Sequence, residues 1–155
     1  MTLRNTLDTH RWIVPTLRIL GLAIFILAFF EPAVRAGEST VLPGWKCATI
    51  ATTESMTLFG KPGSGQHQFT EYLVAFSGWI NPLVVLVILA SPVRVLLIVR
   101  RIFAVLALLC MAGTWVVFSQ QHIVPLTGHF LWIAGALLVI IPDAFPSRPR
   151  GSARA

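Results

Sequence analysis

Ile19-Leu-Gly-Leu-Ala-Ile-Phe-Ile-Leu-Ala-Phe-Phe30 contains no polar side chain. With Trp12 to Arg18 ahead of it, it forms an apolar segment over about residues 12–30, close to the roughly 20 residues a helix needs to cross a bilayer's hydrocarbon. Arg18 falls about two turns in, near enough to the end for its aliphatic stem to carry the guanidinium toward phosphate. Glu31-Pro32 closes the segment, because proline disfavours helical geometry in the residue before it.

Three further apolar segments follow, over about 72–90, 95–118 and 123–141. The second contains Asn81-Pro82 and admits two readings. Pro82 kinks a continuous helix that starts near Tyr72, or Asn81 is an N-cap with Pro82 as the first helical residue and 69–78 lies along the interface. The kinked helix is the expectation. Ser91-Pro92 marks a turn, and Arg100 and Arg101 stand near the start of the third segment. Ser119-Gln-Gln-His122 is a polar connection, and Pro142-Asp143 stops the fourth segment. The expected fold class is all-α: a polytopic membrane protein, a four-transmembrane-helix bundle over 1–145 with one extracytoplasmic loop at 35–70. The basic tail 146–155 is expected to be disordered.

Composition agrees. Of 155 residues, 55% are hydrophobic and 12% charged, about half the charged share of a soluble domain. A net charge of +6 would point to nucleic acid in a soluble protein, but no basic stripe is interleaved with aromatics, and membrane proteins collect Lys and Arg on cytoplasmic segments. Nine of the twelve basic residues (Arg4, Arg11, Arg18, Arg94, Arg100, Arg101, Arg148, Arg150, Arg154) fall on one side of the four spans. Arg35, Lys46 and Lys61 fall on the other. Both termini are therefore expected in the cytoplasm. A cleaved signal peptide ending at Val34-Arg-Ala36 remains an alternative for the first segment.

The outer loop is rich in Gly, Ser and Thr and too small for a core of its own. It is expected to fold against the helix ends, with Trp45 and Leu58-Phe59 as anchors. Gly60-Lys-Pro-Gly-Ser-Gly65 is a turn and not a phosphate loop, since Lys61 is followed by Pro62 where Ser or Thr is needed. Trp12, Trp79 and Trp115 fall near membrane edges, as amphipathic rings do.

Polar residues inside the spans are the functional clues, because burying them in lipid is costly. Asn81 and His129 stand out, with Gln120, Gln121 and His122 at the outer edge nearby. Asn81, His129, His122 and Gln121 are the candidate ligand-binding residues of a pocket open to the outer face. The structural alternative has Asn81 capping or kinking its helix and His129 bonding to backbone.

Chemistry is otherwise poorly supplied. His122 and His129 are seven residues apart and would share a helix face, whereas bis-histidine haem ligation needs opposing sides. His10 and His67 are not placed to pair with His129. No His/Cys/carboxylate cluster has metal spacing, and no nucleophile has a partner pattern. Cys47 and Cys110 lie at different depths, too far apart for a disulfide, and a four-helix thiol oxidoreductase would need paired cysteines. No cofactor and no nucleic acid is expected, and an enzyme is unsupported. Ala104, Ala107, Cys110 and Thr114, with Gly128, Gly135 and Ala136, permit close helix approach.

Pro43-Gly-Trp-Lys-Cys47, Trp79-Ile-Asn-Pro82, and Gly128-His-Phe-Leu-Trp132 after Pro125 together resemble small uncharacterised bacterial inner-membrane proteins with four transmembrane helices. The resemblance covers about residues 41–141. It implies the bacterial cytoplasmic membrane and no particular activity, and adds weight to Asn81, Pro82, Gly128 and Trp132. Two functions follow as expectations: a non-enzymatic accessory subunit of a membrane complex, associating with a partner protein or a second copy, or a binding or transport protein for a lipid, quinone or solute in the outer half of the bundle.

Overall fold

The apolar segments fold as helices. The computed structural model describes residues 3–37, 39–60, 69–91 and 93–144, with side-chain detail from residue 13 onward except at 58–60, 69–70 and 94. The order is α1 (Leu3–Ala28), β1 (Pro32–Ala36), β2 (Thr40–Pro43), α2 (Gly44–Gly60), α3 (Phe69–Ser77), α4 (Ile80–Ala90), α5 (Leu97–Gln121), β3 (Val124–Pro125) and α6 (Thr127–Ala144). A 3-10 turn at Arg94–Leu96 leads into α5.

Three helical stretches are long and apolar enough to cross a membrane: Glu71–Ala90 through α3 and α4, Leu97–Gln121, and Thr127–Ala144. At 18 residues, the shortest spans about 27 Å, close to the hydrocarbon thickness. The apolar part of α1, Ile13–Ala28, is shorter, about 24 Å. Ile19, Leu89, Ile98 and Leu109 are 71, 66, 68 and 63% exposed. So many large apolar side chains facing outward belong against lipid rather than water. This is the pattern of a membrane protein.

α6 sits at the centre and packs on α1, α4 and α5. Its closest partner is α1, and two glycines set the distance. A Cβ on Gly135 would lie 2.5 Å from the Phe25 backbone nitrogen and 2.7 Å from the Gly21 carbonyl oxygen, and one on Gly21 would lie 2.7 Å from Leu138 Cβ. The two backbones touch here, as small residues allow in a bilayer. Phe25, Ile80, Val84, Val87, Ala104, Ala107, Met111, Ala136, Val139 and Ile140 fill the shared core. Ala104, Ala107 and Thr114 of the expected small-residue face are buried, while Cys110 is only half-buried.

The fold is not purely α-helical. β1 pairs antiparallel with β2 on one edge and with β3 on the other. Val34 therefore faces both Leu42 and Pro125. The carbonyls left open where α1 ends are taken up by the loop: Trp45 N–H donates to Phe29 O and Gly44 N–H to Glu31 O. The segment 35–70, expected as an outer loop, holds the end of β1, β2 and the 17-residue helix α2. Cys47 is a half-buried helical residue, not a loop residue. Trp45, expected as an anchor, is 55% exposed in the first turn of α2. The expected roles of Leu58, Phe59, the 60–65 turn, His10, His67, Trp12 and the tail 146–155 involve positions outside the described residues or side chains.

Two boundaries also move. The second span does break, but at Gly78-Trp79, ahead of Asn81-Pro82. Pro82 falls in the first turn of α4, where a missing N–H leaves no bond unmade. Trp79, not Asn81, holds the cap position. Gly78 is where α2 meets the break: a Cβ there would collide with Ser55 Oγ and the Ala51 carbonyl, and the Ser55 hydroxyl sits between the Ala51 and Ala75 carbonyl oxygens. Pro142 does not stop the last helix, which runs on to Ala144. Asp143 is held there by an ion cluster described below.

Candidate ligand cavity

α2 packs on α3 and on the hairpin, while its side toward α5 and α6 stands off. The gap is a cavity of about 210 Å³ at the hairpin end of the molecule. Asn81 reaches it from α4, Thr114, Phe118 and Gln121 from α5, His129 and Trp132 from α6, and Cys47 from α2. No charged side chain lines it among the described residues. At roughly 10–15 Å³ of such space per water, it has room for on the order of fifteen to twenty water-sized groups.

His129 is 5% exposed and stands among rings. Its centroid is 4.7 Å from Phe118, 5.5 Å from Trp132 in a stacked arrangement, and 5.6 Å from Trp115 edge-on. Its Nε2 is buried without a hydrogen-bond partner in the protein, an arrangement that is costly unless something else pairs with it. Beside it, Trp132 Nε1–H donates to Asn81 Oδ1 at 2.9 Å and ties α6 to α4. Two other polar groups are engaged locally. Ser77 Oγ donates to Val74 O at 2.6 Å, and Thr114 Oγ1 to Cys110 O at 3.2 Å. Burial pushes the Cys47 thiol up from its ordinary value, with a backbone hydrogen bond only partly opposing the shift.

Of the four candidate residues, Asn81, Gln121 and His129 meet at one cavity and His122 does not. His122 closes α5 in the left-handed conformation (φ 53°, ψ 36°), with its N–H bonded to Phe118 O. It is exposed, and it shares no helix with His129, so the expected common face does not exist. Asn81 is bonded to an indole rather than capping its helix, and His129 Nε2 has no backbone partner.

At the opposite end lies a cluster that no motif announces. Asp143, with its side chain 2% exposed, takes Arg18 Nη2–H on Oδ2 at 2.8 Å, and Arg100 Nε stands 2.6 Å from Oδ1. The Arg100 contact is an ion pair whose N–H is not aligned for a hydrogen bond. Ser91 completes it: Arg18 Nη1 reaches Ser91 Oγ, and Arg100 Nη1 donates to Ser91 O at 3.0 Å. Arg18 thus lies against a carboxylate instead of reaching for phosphate. The sequence carried a signal for this. Asp143 is a carboxylate at the end of the fourth span, level with arginines in the first and third.

With both ends of the molecule described, similarity to other proteins can be weighed. No family model, curated protein or solved structure matches the chain. Among the described residues no group of His, Cys, Asp and Glu is arranged to hold a metal.

Proposed function

We propose that this protein binds an apolar small molecule in the cavity between α2 and the ends of α5 and α6. The observation that carries this is the cavity itself: about 210 Å³, lined mainly by apolar and aromatic side chains, with Asn81, Gln121 and His129 at its wall. Concave, mostly apolar sites with a few placed polar groups are where small molecules bind. We further read α1 as a fourth, retained span of a four-helix bundle, since Phe25 belongs to the core and Arg18 to the ion cluster. The nine-to-three split of basic residues supports a cytoplasmic Asp143 end and an outer hairpin end; a bacterial inner membrane rests on the sequence resemblance alone.

Mass spectrometry of material retained when the tagged protein is extracted into native lipid particles tests the function. Wild type is expected to keep a small molecule that an Ala48→Trp variant, which fills the cavity from α2, does not. A stoichiometric protein partner with no small molecule favours an accessory subunit. Equal retention by both variants would refute binding at this cavity.

A further inference from the structure

We infer that the phosphate of an anionic phospholipid seats on Arg100 and Arg101 where α5 begins, at the Asp143 end of the molecule. This site is separate from the cavity, and it does not depend on which face of the membrane that end occupies.

Charge does not balance at this end. Among the described side chains it holds Arg18, Arg100 and Arg101 against Asp143 alone, three guanidiniums to one carboxylate. The carboxylate is also the inner layer, 2% exposed beneath arginines that are 19 and 11% exposed. An approaching molecule therefore meets guanidinium. Arg18 commits its terminal nitrogens to Ser91 and Asp143. Arg100 commits Nη1 to Ser91 O and faces Asp143 with Nε, which leaves Nη2. Arg101 has no hydrogen bond or ion pair among the described residues. The Nε atoms are buried, whereas Arg100 Nη2 and both terminal nitrogens of Arg101 keep accessible surface. Those open nitrogens are the contacts.

Their depth suits a headgroup. Arg100 and Arg101 lie in the first turn and a half of α5, and Asp143 is the penultimate residue of α6. The cluster thus stands at the edge of the hydrocarbon. Side chains lean toward a helix's N-terminus, which tips both arginines out toward the phosphate layer. Deeper in the bilayer, Val105 and Leu109 continue the i+4 row from Arg101 and are 45 and 63% exposed. They form a strip for an acyl chain. A guanidinium fork matches phosphate oxygens, and basic sites between spanning helices at headgroup level hold anionic lipids. Inorganic phosphate offers the same oxygens without a chain, so the strip favours lipid as the source.

The test is native mass spectrometry of the full chain in a neutral detergent, titrated with phosphatidylglycerol, phosphatidylcholine or inorganic phosphate. Wild type is expected to bind phosphatidylglycerol at least about fivefold tighter than phosphatidylcholine, and Arg101→Gln to lose about fivefold for phosphatidylglycerol. Arg154→Gln in the tail removes the same charge and is expected to change nothing. No loss in Arg101→Gln, or an equal loss in both variants, overturns the site, since net charge alone would then hold the lipid. Equal binding of the two lipids by wild type overturns it as well. Displacement of phosphatidylglycerol by inorganic phosphate at equal concentration overturns lipid as the source and leaves a free-phosphate site. A second measurement needs no variant. Phosphatidylglycerol with a photoreactive chain is expected to label wild type at Val105 or Leu109, and labelling confined to other helices overturns the placement.

Discussion

Replacing Asp143 by Asn leaves the shape of α6 almost unchanged and removes the one carboxylate between Arg18 and Arg100. The side chains involved are 2, 19 and 11% exposed, so solvent screening is slight. Breaking a buried pair by removing one partner costs about 3–5 kcal/mol, because the remaining charge stays buried without a counter-ion. Here two guanidiniums are stranded, which favours the upper part of that range. For a chain of this size each kcal/mol moves the melting temperature by about 2–4 °C, so Asp143→Asn is expected to lower it by roughly 6–20 °C. The assay is size-exclusion chromatography of the heated, detergent-solubilised protein. Asp143→Leu combined with Arg18→Met and Arg100→Met is expected to recover much of the loss, since apolar replacements of similar volume remove the desolvation cost along with the attraction. A fall of under about 2 °C for Asp143→Asn would refute the reasoning and mean that the two arginines reach water or phosphate without help from Asp143.

Three further outcomes are expected. Gly135→Ala pushes α6 from α1, whose backbone nitrogen at Phe25 lies 2.5 Å from the new methyl; overpacking of this kind costs about 1–3 kcal/mol, visible in the same melting assay, and an unchanged melt would mean that the two helices are not in contact. Trp132→Phe removes the indole donor and leaves Asn81 Oδ1 unpaired, a loss of about 1–3 kcal/mol that Trp132→Phe/Asn81→Leu should partly reverse; additive losses in the double variant would dismiss the bond. Because burial raises the Cys47 thiol, less thiolate is present at neutral pH. Alkylation of a Cys110→Ala protein should therefore be slow at pH 7 and quicken as pH rises. With a membrane-impermeant reagent on intact cells, labelling of Cys47 also tests the outer placement of the hairpin end, and labelling only after lysis would reverse the orientation.

The parts of this fold legible in the sequence are those that depend on local composition. Runs such as 127–144 declare a span by length and apolarity, whatever they touch. Asn81 and His129 were legible for a related reason, as polar residues inside apolar runs. Their surroundings were not: Trp132 as the partner of Asn81, and the ring cluster around His129, depend on which helices become neighbours. The sheet was hidden because β1, β2 and β3 are short, and Val34 meets Pro125 across most of the chain. His122 was singled out for its polarity and turns out to be a helix terminator, a role that polarity does not encode. Asp143 was read as a stop beside Pro142, because the two arginines that hold it come from distant segments.

The partnership of α1 with α6 has a consequence for how the molecule is made. Of the described helices, the first to leave the ribosome docks against the last, and β1 finds β3 only when the turn before α6 has emerged. The closing contacts are therefore among the most distant in sequence, where loop-closure entropy is greatest and formation slowest. Until α6 arrives, Gly21 and Phe25 present a bare seam to lipid. Maturation thus waits on the synthesis of α6, and a nascent chain arrested before residue 127 holds inserted helices but no finished cavity.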